Sequence, residues 1–240
     1  LIQNEPKAFQ GMLAKYGKFR NVSNYIVMAG KKAYDLDERI GYYGEHLVLL
    51  AQTLGLNTCW VGLSYSKVLG TYVLEEDEKI ACYIALGYGE TQGVSHKIKT
   101  VEQVSRSAVR TLGSSKKCRS SESQQARLIG RVVTVLDEVN ASDITPTWFK
   151  KGVEAALLAP TAVNQQKFSF EYIGMQNNRH KVRAKRGFSV IGYTQLDLGI
   201  AKYHFEIGAG NEVTEQREPT GLHDWPSRDG TRRSQNFDWV

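Results

Sequence analysis

The sequence predicts a globular α+β protein, and three stretches carry that prediction. Glu38 to Leu54 repeats apolar residues at helical spacing, Ile80-Ala-Cys-Tyr-Ile-Ala-Leu-Gly87 is an unbroken apolar run of strand length, and Phe168, Phe170 and Tyr172 alternate as a half-buried strand does. With 240 residues, 41% hydrophobic and 10% aromatic, the chain has material for a real core, as one large domain or two small ones.

In chain order, the first thirty residues begin without a recognisable helix cap and lead into Asn24-Tyr-Ile-Val-Met-Ala-Gly30, which reads as a buried strand. Asp35-Leu36-Asp37 then offers acidic caps to the strongest helix, Glu38 to Leu54, with Ile40, Tyr43, Leu47, Leu50, Ala51 and Leu54 on its apolar stripe. Gly55 stops it in the C′ position. Gly41 and Gly44 lie about one turn apart on this helix and admit a close neighbour, either a packing helix or a flat ring. Leu56-Asn-Thr-Cys-Trp-Val-Gly62 reads as a short extended segment whose glycine removes a side chain where a ligand or a second backbone approaches. The run from Ile80 to Gly87 suits the centre of a sheet covered on both faces. Beyond it, Tyr88 to Lys99 is a glycine-containing loop. There Lys97 and Lys99, two residues apart, project to one side and either converge on an anion or form a solvated pair.

From Ser105 to about Asn140 the pattern weakens. Gly113 to Gln125 is polar and of low complexity, which places a linker over residues 106–140 between a first unit (1–105) and a second (141–210). Val132-Val-Thr-Val-Leu136 is either an edge strand or part of a helix. The formal charge of +6 sits wholly in residues 106–131, where seven basic side chains oppose Glu122 alone. A basic run rich in Ser and Gln, with no aromatics for base stacking, reads as a solvated linker, so no nucleic-acid partner is expected. In the second unit Thr145-Pro146 starts a helix carrying Phe149, Val153, Ala156 and Leu157, and a later helix, Leu196 to Ile207, has Leu196, Ile200, Tyr203 and Ile207 on one stripe. His204 beside that stripe reads as a partly buried histidine satisfied by a backbone partner. Residues 211–240 read as a poorly packed polar tail.

No stretch reaches the roughly 18 consecutive apolar residues of a membrane span, and Leu1-Ile-Gln-Asn-Glu-Pro6 lacks the features of a signal peptide, so a cytoplasmic location without membrane contact is expected. Cys59, Cys82 and Cys118 are widely spaced and without CxxC pairing, which indicates neither disulfides nor a metal site; Cys59 and Cys82, inside apolar runs, read as small core residues.

The chemistry concentrates in Ala159-Pro-Thr-Ala-Val-Asn-Gln-Gln-Lys-Phe168. Pro160 forces Ala159 out of the helical region, so Thr161, Asn164 and Gln166 fall on the loop beyond a helix end. Asn and Gln each carry donors and an acceptor, which suits them to reading the alternating carbonyls and ring nitrogens of a flavin or a base. An ordinary helix–loop–strand connection gives the same spacing.

The run APTAVNQQKF resembles the Ala-Pro-Ser/Thr-x-x-Asn-x-Gln signature of nitroreductase-family flavoproteins, and GLNTCWVG, IACYIALGYGE and the Lys97-x-Lys99 pair resemble further pieces of that family. The match covers about Asn24 to Val104 and Trp148 to Gly210. The order of the pieces is reversed relative to ordinary members and resembles the internally duplicated branch, in which two degenerate repeats fold into one chain and imitate a dimer. The resemblance implies a mostly antiparallel central sheet flanked by helices. It implies FMN as cofactor, with Pro160, Thr161, Ala162, Asn164 and Gln166 at the isoalloxazine edge and ribityl chain, Val61, Gly62 and Leu63 against the reactive centre, and Lys97 and Lys99 on the phosphate. The implied activity is ping-pong transfer of hydride through flavin N5, from NADH or NADPH to a nitroaromatic, quinone or similar small-molecule acceptor. No catalytic side chain is required, because the flavin carries the chemistry. A monomer imitating a dimer is expected. The family's basic Arg-Arg-Ser-x-Arg opening is absent before Asn24, which leaves either a fragment or a phosphate held by the two lysines. Two other readings remain: a non-catalytic descendant that binds a flavin, another ligand or a protein, and a nucleic-acid binder acting through residues 106–131.

Overall fold

The apolar run from Ile80 to Gly87 forms the middle of a three-stranded sheet, as its composition predicts. In the computed structural model, β1 (Asn24–Lys31) and β2 (Asn57–Val61) both pair antiparallel with β3 (Glu78–Gly87), in the order β1-β3-β2. The structure describes residues 1–17, 19–89, 93, 95–107, 145–176, 179–210 and 235–238. The expected linker beyond Ser107, with Cys118 and the run from Val132 to Leu136, lies outside them, as does the tail apart from residues 235–238.

Two compact units divide the chain, and each draws on both halves of the sequence. The first comprises Leu1–Ile98, Ala156–Phe168 and Arg186–His204; the second comprises Lys99–Ala155, Ser169–Lys185 and Phe205–Val240. The first holds α1 (Met12–Tyr16), α2 (Leu36–Thr53) and the three-stranded sheet. Its core gathers Ala8, Phe9, Ala14, Tyr25, Val61, Tyr83 and Ala85, with Tyr83 stacked between Tyr25 and Tyr65 at centroid distances of 5.0 and 3.8 Å. The Tyr83 hydroxyl meets that of Tyr72 at 2.8 Å, which satisfies a buried phenol. Cys82 is buried as expected. Cys59, expected in the core, is exposed on edge strand β2.

The second unit contains α3 (Val101–Val104), β4 (Ser105–Ser107), α4 (Thr147–Ala156), β5 (Phe168–Gln176), β6 (Arg179–Arg186) and β7 (Gln235–Asp238). Its sheet has the order β4-β5-β6-β7, parallel at β4–β5 and antiparallel at β6–β7. The antiparallel sheet thus comes as two sheets, one in each unit. Pairing of β6 with β7 gives four residues of the expected tail an ordered role. Phe170 and Tyr172 point inward on β5, where Phe170 stacks on Phe205 at 4.6 Å and Tyr172 meets the edge of Trp148 at 6.1 Å. Gly152 on α4 is glycine for a packing reason, since a Cβ there would meet the Phe205 ring at 2.8 Å.

Helix α2 ends as predicted. Gly55 has φ of +76°, its N–H bonds the Gln52 carbonyl at 3.0 Å and the Leu56 N–H bonds the Ala51 carbonyl at 2.9 Å, a Schellman closure. Its buried face keeps only Ile40 and Ala51 of the predicted stripe. Tyr43, Leu47, Leu50 and Leu54 are exposed, while Leu36, Glu38, Ile40, Gly41, Gly44, Glu45 and Ala51 are buried. Close helix packing is the reason. A Cβ on Gly41 would collide with the carbonyl of Leu196, and one on Gly199 with the carbonyl of Glu38, so α2 and α5 (Thr194–Ala209) cross with their backbones almost touching. A periodicity search that weights apolar residues cannot see a face made of glycine and neutralised charge.

The crossing has an approximate two-fold relation. Gly199 follows Gly41 by 158 residues and Leu196 follows Glu38 by the same 158, so each glycine abuts the carbonyl three residues before its counterpart. The same offset carries His46 to His204 and Glu45 to Tyr203. Accordingly His204 Nε2 donates to Glu45 Oε1 at 2.9 Å, and His46 stacks on Tyr203 at 3.6 Å. Two repeats therefore pack through equivalent helices of one chain.

Candidate functional site

Helix α4 stops at Ala156, Pro160 cannot continue it, and the chain enters a one-turn 3-10 helix, Ala162–Asn164. Three non-glycine residues there are left-handed: Val163 at φ +46°, Asn164 at +57° and Gln166 at +45°. For Asn this is tolerable; for β-branched Val it is strained, and such strain persists only where surrounding contacts over-determine it.

Those contacts are amide hydrogen bonds, and they come from two sides. On one side the Lys97 carbonyl accepts from Asn164 Nδ2 at 2.9 Å and from Gln166 Nε2 at 2.6 Å, while Gln166 Nε2 also reaches Asn164 Oδ1 at 2.7 Å. On the other, Asp197 in the first turn of α5 takes the Ala162 N–H on Oδ1 at 3.0 Å and Gln165 Nε2 on Oδ2 at 2.6 Å. Gln165 Nε2 also donates to the Gly192 carbonyl at 3.0 Å, and Thr161 Oγ1 accepts from the Gln166 N–H at 3.1 Å. Gln166 is buried and Asn164 exposed. Burial pushes the Asp197 carboxyl up to about 6, against the pull of its two hydrogen bonds.

The other predicted residues are placed as follows. Val61 is buried at the end of β2, Leu63 is largely exposed, and Gly62 between them lies under the phenol of Tyr193. A Cβ on Gly62 would come within 2.5 Å of the Tyr193 ring, which explains the glycine without any ligand. Tyr193 has φ of +57° and immediately precedes α5; no spacing rule in the sequence marks it. Lys97 is exposed and joins the loop through its carbonyl. Lys99 is half-buried and opens the second unit. Asp197 and Gln165 are the residues that sequence reasoning missed. Gln165 stood inside the quoted motif, and Asp197 carried one signal, an acidic residue in the first turn of a helix.

Beside this loop the α2–α5 crossing buries two acidic side chains with their partners. Lys202 Nζ donates to Glu38 Oε1 with both side chains almost fully covered, and Glu45 accepts from His204 on one oxygen and from Trp60 Nε1, at 3.1 Å, on the other. Burial raises the Glu38 carboxyl and lowers the Lys202 ammonium to about 8, each opposed by its partner. His204 was expected to bond backbone and instead holds a buried carboxylate, because a helix interior offers no spare carbonyl and Glu45 needs a donor. Among the described residues, no group of His, Cys, Asp and Glu is arranged to hold a metal, and no helix is long and apolar enough to cross a membrane.

The donor set suits a planar heterocycle with carbonyls and ring nitrogens on its edge. Asn164 is exposed, with its amide bonded to the Lys97 carbonyl and to Gln166, so the residues fit the ring of a flavin if the second Asn164 N–H and second oxygen lone pair meet the ring edge and Tyr193 leaves Gly62 or stacks on the ring.

Comparison with known proteins bears on this geometry. The sequence profile of the family described as "Putative TM nitroreductase" matches residues 1–114 and again 112–209, two tandem segments that agree with the two-fold crossing. The crystal structure of a "putative nitroreductase" from Thermotoga maritima is similar at 20% identity and a TM-score of 0.48, over 82% of this chain and 64% of that one. The chain thus spans less than two thirds of that relative's length. No curated protein matches the sequence.

Proposed function

Because this chain belongs to the nitroreductase family that its two profile matches define, we propose that it is an FMN-dependent oxidoreductase taking reducing equivalents from NADH or NADPH to a nitroaromatic, quinone or similar small acceptor. The observation that carries this reading is the strained amide loop Thr161–Gln166, where three left-handed non-glycine residues are held by side-chain and backbone hydrogen bonds. Such strain is found where a site has to be preorganised.

Thr161, Asn164 and Gln166, with the backbone of Pro160 and Ala162, would hold the polar edge and ribityl chain. The backbone of Val61, Gly62 and Leu63 would face the ring's reactive centre, and Lys97 and Lys99 are the candidate phosphate partners. Bound FMN would supply hydride acceptance and donation at N5. The protein's own part is to orient: Gln166 Nε2 donates to Asn164 Oδ1 and so fixes the Asn164 amide, and Tyr193 covers Gly62 until a ring takes its place. Glu38 and Lys202 are paired with each other, so neither is poised as an acid or base.

Purified protein that is yellow, or that quenches FMN fluorescence stoichiometrically and oxidises NAD(P)H with parallel-line kinetics against a quinone, supports the reading. Absence of any FMN binding would leave the second reading, a non-catalytic ligand-binding descendant. The phenol seated on Gly62 is the observation that favours it.

A further inference from the structure

We propose that Asp197 is the positioning residue of the amide loop: its carboxylate, from the first turn of α5, holds both ends of the turn Ala162–Gln165 in the strained form from which Asn164 and Gln166 present their amides. The proposal rests on reading that loop as the ligand site. Its own basis is geometric. Asp197 is 1% exposed, and its two oxygens are divided between a backbone N–H at the start of the turn and a side-chain amide at its end. Gln165 passes the grip on to the Gly192 carbonyl, beside the left-handed Tyr193 that covers Gly62, so one carboxylate ties together the amide loop and the turn carrying the phenol.

A buried carboxylate facing only amides is costly unless those bonds are needed. The groups bonded to Asp197 are neutral. Of the ionisable groups on the elements packed around it, Glu38 on α2 and Lys202 on α5 are bound to each other, Arg39 faces Asp35 at 3.7 Å, and Lys97 and Lys167 are exposed. Protonation of Asp197 turns one of its accepting oxygens into a hydroxyl donor, so the Gln165 amide has to turn to accept from it and gives up the Gly192 carbonyl, and that clamp of the loop is lost. Since burial sets this titration at about 6, the loop should change geometry just below neutral pH.

The test uses the intact chain, isotopically labelled, as wild type and Asp197→Asn. Side-chain amide resonances of Asn164 and Gln166 and the FMN dissociation constant are followed together from about pH 5 to 8, the range that brackets the titration. The expected result is a one-proton transition of both amides in the wild type with FMN affinity falling several-fold below it, and no transition with flat affinity in Asp197→Asn. An identical transition in both proteins overturns the proposal, as does an affinity that varies with pH equally in both. If neither protein binds FMN yet the amide transition is present only in the wild type, the flavin reading fails and the positioning role stands. If FMN binds at a pH-independent affinity and the amides do not move, the positioning role fails and the flavin reading stands. Should Asp197→Asn not fold, Asp197→Glu keeps the charge on a longer arm: a retained transition with displaced amide shifts is expected, and wild-type shifts overturn the proposal.

Discussion

Gly41 and Gly199 face each other's helix at a single crossing, each against the backbone of the other, 158 residues apart in sequence. Side chains are excluded there, so the contact is made by backbone atoms. Alanine at Gly199 is therefore expected to destabilise the protein by about 1–3 kcal/mol through overpacking, although alanine is intrinsically the better helix former by about 1 kcal/mol. Denaturant unfolding of Gly199→Ala and Gly41→Ala checks this, and unchanged midpoints would contradict the close crossing.

The pair Glu38–Lys202 should behave as a buried salt bridge. Removing one partner alone, as in Lys202→Met, leaves a carboxylate in a covered site and should cost about 3–5 kcal/mol. Replacing both together, Glu38→Leu with Lys202→Met, should cost much less than the sum of the singles. A double-mutant cycle reads the difference.

Asp197 gives a pH dependence of stability whose sign is fixed by the direction of its shift. A carboxyl raised from 3.8 to about 6 on folding binds its proton more tightly in the native state, so its contribution is full below pH 3.8 and is lost as pH rises through 6. The loss amounts to about 3 kcal/mol, from roughly 2 units at 1.36 kcal/mol each. Asp197→Asn should flatten this part of the profile and be the more stable protein at neutral pH, since Gln165 can turn its amide to match. Thermal unfolding across that range is the measurement.

Asn164→Ala should weaken FMN binding by about 1–3 kcal/mol, because a polar edge of the ring would lose its amide partner. Fluorescence titration is the check. An unchanged dissociation constant would return Asn164 to the role of supporting Gln166, to which it is bonded at 2.7 Å.

If the repeats supply in one chain what ordinary relatives bring together by dimerising, FMN affinity should not depend on protein concentration, and one flavin at most should bind per chain. Dilution-series titrations alongside light scattering distinguish this from a two-chain site, whose affinity would fall as protomers separate.

Much of the framework was legible before any coordinates. Ile80 to Gly87 declared a central strand because nothing polar interrupts it, Gly55 declared a helix end because only a left-handed residue closes a Schellman turn, and Gly41 with Gly44 declared a close neighbour. The buried face of α2 was legible only at Ile40 and Ala51. Glu38 and Glu45 are buried there because Lys202 and His204, some 160 residues later, donate hydrogen bonds to them. At the candidate site the residue types were legible but not their use. Asn164 and Gln166 were chosen as ligand readers, and the structure has them bonding Lys97 and each other, through a loop gripped by Asp197. Tyr193 was hidden because its role comes from a backbone conformation that no side-chain pattern encodes.

The charged pair at the crossing also records a freedom that separate subunits lack. In a symmetric homodimer every interface contact occurs twice, so a residue that favours the partner on one side must be tolerated on the other. Here the counterpart of Glu38 is Leu196 and the counterpart of Lys202 is Gly44, so the acid–base contact forms once and its mirror position holds an aliphatic side chain and a glycine. Joining two copies in one polypeptide let each half mutate alone. The crossing kept its glycines where geometry demanded equality and exchanged chemistry where it did not.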